Sequence, residues 1–234
     1  MKKDFAAAVK AVAEIGYPYV ETAGYGSTDA EGAKSAIDAA GLKVSGMHVG
    51  IERLRGEFEA VVAEAKAFGT PHVTCPGWPI EDYATVAGCI TVGEELNRIG
   101  AKLRKEGFRF SFHNHYAEFA EIEGRYVFDW MLDAAEPRNL GCQLDIYWAF
   151  RPGADPVQFI REHGRRVTTL HFKDGDRERQ NELGRGEVDY QTIMEVSEAI
   201  GACDFYIVEQ EEYNFEPMES VRMCFEQLKA WGRA

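Results

Sequence analysis

Apolar positions along the chain switch between two periods. Residues 3–15 place Phe5, Val9, Val12 and Ile15 on one stripe, the spacing of a helix with one buried face. Residues 57–68 repeat this with Phe58, Val61, Val62, Ala65 and Phe68, and 82–106, 189–200 and 217–231 keep the same period. Between them lie short runs rich in β-branched and aromatic residues: 19–23, 43–49, 72–77, 109–115, 140–148, 167–174 and 204–211. Gly16, Gly41, Gly69, Gly107 and Gly201 each fall where a helix should stop before the next strand. The pattern predicts seven strands and eight helices, beginning with a helix. A repeat of roughly 30 residues is the signature of parallel βαβ units. An open doubly wound sheet would announce a nucleotide with a glycine-rich first turn. The stretch AGYGSTDAEG after the first strand lacks that spacing and any basic residue. The expected architecture is a (β/α)8 TIM barrel lacking its first strand, a single domain over residues 1–234.

Strand parity then singles out one end of the barrel. Over 108–115, Phe108, Phe110 and Phe112 share a face, while Arg109, Ser111, His113 and His115 share the other. Barrel strands turn large apolar groups outward under the helices and carry chemistry at their C-terminal ends. His113 and His115 are therefore expected to point inward at the catalytic rim. His171 and Lys173 point inward opposite Leu170 and Phe172, and Gln143 and Asp145 opposite Leu144 and Ile146. Glu209 follows four apolar residues, Phe205 to Val208, so both faces of that run are expected to be buried. Four strands thus end in His113, Asp145, His171 and Glu209. Buried charges need partners or a metal, and two imidazoles with two carboxylates suit Zn²⁺, Mn²⁺, Co²⁺ or Fe²⁺. Each residue alone also has an ordinary reading, as a satisfied core or rim histidine or as the cap of the next helix. The coincidence on four strands favours a site.

Composition narrows the partners. The formal charge of −13 disfavours nucleic acid. The five cysteines are scattered without a CxxC, which reads as reduced thiols. The first residues lack the apolar core of roughly 7–15 residues of a signal peptide, and no apolar run approaches the ~20 residues of a membrane span. A cytoplasmic location without membrane contact is expected.

AEIGYPYVETAGYG, GLKVSGMHV, FSFHNHYAEF, LGCQLDIYWAFRPGADP, VTTLHFKDGD, LGRGEVDY and FYIVEQEE carry, in this order, a further signal. The chain resembles the sugar phosphate isomerase/epimerase group of xylose isomerase-like TIM barrels over nearly its whole length. The resemblance implies one divalent ion (Mn, Co, Fe, Zn or Mg) at the barrel mouth, held by residues at the ends of four strands. Asp145, His171 and Glu209 match three ligands. His113 stands where a glutamate is expected and is taken as the fourth, with His115 or Glu118 as substitutes. The implied chemistry is isomerisation or epimerisation of a sugar, keto-sugar or inositol derivative through a metal-stabilised enediolate. Glu209 is the expected base, and His115 or Glu118 the second acid/base. The missing glutamate leaves room for a keto-polyol dehydratase or a 3-keto-sugar lyase or hydrolase; a degenerate, non-catalytic barrel is a further alternative. Arg177, six residues past the histidine ligand, Trp148, Lys173 and Glu21 are candidate substrate contacts. Lys173 has an alternative as an ion-pair partner of Asp174 or Asp176, and Glu21 as a structural strand-end residue. The direction of His48 is not fixed by parity, and His72 and His163 are expected at the surface or at helix junctions. The apurinic-site endonucleases share the fold, but the acidic charge and Trp148 at a ligand position argue against that chemistry. The expected partner is a small sugar or polyol. A barrel open at its missing strand exposes two edges, so a homo-oligomer, most simply a dimer, is expected.

Overall fold

In the computed structural model, which describes residues 4–234, seven parallel strands form one sheet in chain order. They are β1 (Tyr19–Thr22), β2 (Lys43–His48), β3 (His72–Cys75), β4 (Arg109–His113), β5 (Gly141–Asp145), β6 (Val167–Phe172) and β7 (Phe205–Val208). The sheet curls into a nearly closed barrel. Among the described residues no strand pairs with the free edges of β1 and β7. The rings of Tyr19 and Phe205 meet across that gap, with centroids 5.1 Å apart. The seven-stranded barrel expected from the alternating pattern is therefore the one observed. β7 corrects one expectation: its four residues are half-buried rather than buried on both faces, because it borders the gap.

Ten α-helices surround the sheet among the described residues, two more than expected. They are α1 (Phe5–Ile15), α2 (Ala30–Ala39), α3 (Ile51–Gly56), α4 (Phe58–Phe68), α5 (Val86–Lys105), α6 (Val127–Asp133), α7 (Ile146–Phe150), α8 (Pro156–His163), α9 (Tyr190–Ile200) and α10 (Pro217–Ala230). Two of them, α3 and α7, have six and five residues and are too short to show a helical period in the sequence. α7 also takes Ile146 to Trp148 out of the predicted strand, so strand parity ends at Asp145. The helix predicted over 3–15 starts at Phe5; Asp4 caps it by accepting a hydrogen bond from Ala7 N at 2.9 Å. Its first predicted residue lies outside the described residues. No described helix is long and apolar enough to cross a membrane.

The parity expected of β4 holds. Phe110 and Phe112 are buried in the core, and Phe112 meets Phe128 of α6 edge-on. Inside the barrel, Ser111 Oγ and Thr168 Oγ1 bond at 2.8 Å. Gly141 of β5 permits this approach, since a Cβ there would lie 3.0 Å from both Ser111 Oγ and Thr168 Cγ2. At the N-terminal end of the strands, His72 is buried rather than at the surface. Its Nε2 lies 3.0 Å from Asp204 Oδ2, and Arg109 bonds the same oxygen. This cluster ties the starts of β3 and β4 to β7 across the barrel.

Candidate active site

The opposite ends of the strands converge on one acidic, histidine-rich centre. His113 closes β4 and is buried, its ring 4.7 Å from that of His171 and 5.2 Å from that of His48. Asp145 closes β5 and has two tasks. Its Oδ1 accepts from Trp148 N at 2.9 Å and so caps α7, as the ordinary reading of a strand-end aspartate expects. Its Oδ2 stays buried in the site, 3.0 Å from Lys173 Nζ as an ion pair without hydrogen-bond geometry. Asn114, buried beside them, locks the two strand ends together. It accepts from Asp145 N at 2.9 Å and donates to Asp145 O at 3.1 Å. Parity alone did not assign Asn114 a part.

His171 on β6 lies between two carboxylates, with Nε2 2.7 Å from Glu21 Oε2 and Nδ1 2.9 Å from Glu209 Oε2. Burial opposes its charge, but the two carboxylates prevail and push its pKa up to about 10. Glu21 and Glu209 are correspondingly held far below the usual carboxylate range. For both, burial works against ionisation. His48 and His171 outweigh it for Glu21, and the hydrogen bond and charge of His171 with the Lys173 ammonium outweigh it for Glu209. His113 is the contrary case: burial, then the neighbouring imidazoles, hold it well below its usual value, so it is neutral.

Glu21 reaches inward because Gly46 faces it on β2, where a Cβ would meet Glu21 Oε1 at 2.5 Å. Its Oε1 accepts from Gln143 Nε2 at 2.8 Å, and its Oε2 lies 3.0 Å from His48 Nε2. Gln143 Oε1 lies 2.6 Å from the same nitrogen. Both neighbours of His48 Nε2 are acceptors, so that nitrogen carries its proton. His48 thus belongs to the site. β2 has apolar residues, Val44 and Met47, on both parities, so no alternation marked its direction.

Donor atoms of His113, Asp145, His171 and Glu209 all lie within 4.8 Å of one another, and so do those of His48, His113 and His171. Two atoms of the first group, His113 Nδ1 and Asp145 Oδ2, are buried without a hydrogen-bond partner. Such atoms are costly unless something fills their valence. A mixed nitrogen and oxygen set of four fits a divalent ion of the Zn²⁺, Co²⁺, Fe²⁺ or Mn²⁺ type. With an ion bound, Glu21 would hold His171 Nε2–H from behind the site, and Nδ1, the nitrogen facing Glu209, would have to give up its proton to ligate.

The other expected residues divide. Lys173 is fully buried among Asp145, Glu209 and Glu211, not paired with Asp174 or Asp176. His115 is partly exposed, its ring 5.0 Å from that of His113 and 6.1 Å from that of Trp148. Trp148 lies on α7 with its ring 5.1 Å from Lys173 Nζ. Glu118 turns away from the cluster: it accepts from Tyr83 Oη and from His115 N, each at 2.8 Å, and so braces the loop after β4. Arg177 also lies elsewhere, donating to Phe150 O at 2.7 Å and Arg151 O at 3.3 Å at the end of α7. Glu211, which the sequence offered only as one of several acidic residues, is the third partner of Lys173.

The profile of a family described as xylose isomerase-like TIM barrel matches residues 9–231. An inosose dehydratase of Lacticaseibacillus casei is 24% identical over 161 residues, covering 61% of this chain and 50% of the relative. The chain spans about half the length of the curated relatives it matches. Among solved structures, a sugar phosphate isomerase/epimerase from Parabacteroides distasonis superposes with a TM-score of 0.83 at 24% identity, covering 97% of this chain and 92% of that one. The IOLI protein with a bound zinc atom superposes with a TM-score of 0.74 at 12% identity, covering 97% and 92%. At these identities the superpositions establish a shared fold.

Proposed function

The chain belongs to the xylose isomerase-like TIM-barrel family, and from that premise we propose a divalent-metal-dependent enzyme that removes water from a cyclic keto-polyol of the inosose class. The observation that carries this reading is the asymmetry of the acid–base groups. One carboxylate, Glu209, stands at the end of β7, and on the β4 side stand imidazoles, His113 and His115, where isomerisation would call for a second carboxylate. Elimination needs unlike partners: a base for the carbon acid and an acid for the leaving hydroxyl. The curated relatives named inosose dehydratase support the same direction.

His113, Asp145, His171 and Glu209 would hold the ion, which when bound supplies a Lewis acid that polarises the ketone and acidifies the adjacent C–H. Glu209, held ionised, takes that proton. The C–H electron pair forms the new double bond, and the bond to the neighbouring hydroxyl breaks. His115 gives this hydroxyl a proton, so it departs as water. Trp148 offers an apolar face to the ring carbons. Glu21 and Gln143 keep His48 and His171 in one orientation.

A second reading, epimerisation or isomerisation on the same site, has in its favour Glu21, a second carboxylate beside the cluster with Oε2 2.7 Å from His171 Nε2. One experiment separates the two. Cobalt-loaded protein is incubated with an inosose in deuterated water and followed by mass spectrometry. Loss of water from the substrate is the expected result. Deuterium uptake without loss of water replaces elimination with the second reading, and neither change contradicts both.

A further inference from the structure

Lys173 and a divalent ion compete for the same oxygens. The ammonium lies 3.0 Å from Asp145 Oδ2 and 2.9 Å from Glu209 Oε2, both members of the four-residue donor group. Asp145 has only that oxygen to offer, because Oδ1 is committed to the cap of α7. The third partner of Lys173, Glu211 Oε2 at 2.8 Å, lies outside the donor group. Glu211 is itself held in place. Gln180 Nε2 donates to the same oxygen at 3.1 Å, and Gln180 Oε1 accepts from Glu211 N at 3.1 Å. The ring of Trp148, 5.1 Å away, adds an attractive face for a cation. The backbone of Lys173 is pinned by Tyr190 Oη, which donates to its carbonyl at 2.7 Å. The flexible stem of the side chain is what remains free to turn.

We propose that Lys173 is an internal counter-cation that the metal displaces from Asp145 and Glu209 onto Glu211. The proposal rests on the metal reading of the site given above. An ammonium and a divalent ion repel strongly at ligand distances inside a protein, so they cannot share Asp145 Oδ2. Without either cation, the buried Asp145 carboxylate would stand uncompensated, and Glu209 would keep only His171. Lys173 therefore holds the two ligand carboxylates in place before the ion arrives. The ion's affinity is then set partly by the displacement, and weakly binding cations are excluded.

Two measurements on the full chain test this. The first is cobalt(II) affinity, by competition with a chelator, for the unsubstituted protein, Lys173→Met, Glu211→Gln and the double variant. Displacement predicts that Lys173→Met binds cobalt at least about tenfold more tightly, a change in dissociation constant easily read. It predicts weaker binding by Glu211→Gln, an effect that disappears once residue 173 carries no charge. Unchanged or weaker binding by Lys173→Met means a fixed brace and overturns the proposal. The second needs no variant and stands even if Lys173→Met fails to fold: a crystal structure of the cobalt-loaded protein. Nζ out of hydrogen-bond reach of Asp145 Oδ2 and still on Glu211 is the expected result. Nζ still on Asp145 beside the bound ion overturns the proposal and leaves the metal reading intact. Unsubstituted protein that takes up no cobalt overturns the metal reading, and the proposal with it.

Discussion

Two clusters of histidine, carboxylate and cation occupy opposite ends of the same barrel. At the start of the strands stand His72, Asp204 and Arg109; at their ends stand His171, Glu209 and Lys173. The residue types match, but the electrostatics do not. In the first cluster Asp204 and Arg109 are 39% and 56% exposed, so water shares the load, and none of its buried atoms lacks a partner. In the second, Glu209 is 32% exposed but Lys173 and Asp145 have no exposed side-chain surface, and His113 Nδ1 and Asp145 Oδ2 lack a hydrogen-bond partner. The first cluster is complete as a brace. The second has valences left over, which is what binding a further cation requires.

Breaking the second cluster should have the larger effect on turnover. His171→Ala is expected to abolish metal uptake and to lower turnover of a cyclic keto-polyol by about 10⁴-fold, read by elemental analysis and by product formation. A variant that keeps both metal and turnover would remove His171 from the centre. His115→Asn is expected to keep the metal and lower turnover about 10²-fold, the usual range for a general acid, with unchanged thermal stability. Loss of metal together with turnover would make it a ligand instead.

Glu118→Gln sharpens the contrast between site and scaffold within one loop. It weakens the acceptor that holds Tyr83 Oη and His115 N. A loss of about 1–3 kcal/mol of stability is expected in denaturant titration, with turnover altered no more than a few-fold. A large fall in turnover at full stability would restore it as an acid/base.

The smallest effect belongs to the first cluster. Burial depresses the pKa of His72 below its usual 6.5, with Asp204 opposing. The folded protein therefore binds this proton less readily than the unfolded chain. The contribution of His72 is complete above pH 6.5 and is lost as pH falls below it. His72→Gln is expected to flatten that acid-side decline while leaving metal binding unchanged. A decline as steep as in the unsubstituted protein would assign it to other groups.

The sequence made the barrel legible because helical and strand periods alternate cleanly and glycines separate them. It made His113, Asp145 and His171 legible because β4, β5 and β6 have one helix-facing side and one inward side. Where that contrast fails, so does the reading. β2 carries Val44 and Met47 on opposite faces, so the direction of His48 could not be seen. Glu118 lies in a single 3-10 turn and Arg177 in a loop, where no period fixes a side chain. Glu118 turned to Tyr83, and Arg177 to the carbonyls at the end of α7. Glu211 follows β7 in an acidic run, and only the approach of Lys173 and Gln180 distinguishes it from its neighbours.

The most direct test of a metal centre built from His113, Asp145, His171 and Glu209 is the metal content of protein purified without a histidine tag. About one zinc, cobalt, iron or manganese ion per chain, absent from the Asp145→Asn variant, is the predicted result. No bound metal after incubation with zinc or cobalt salts would contradict the account.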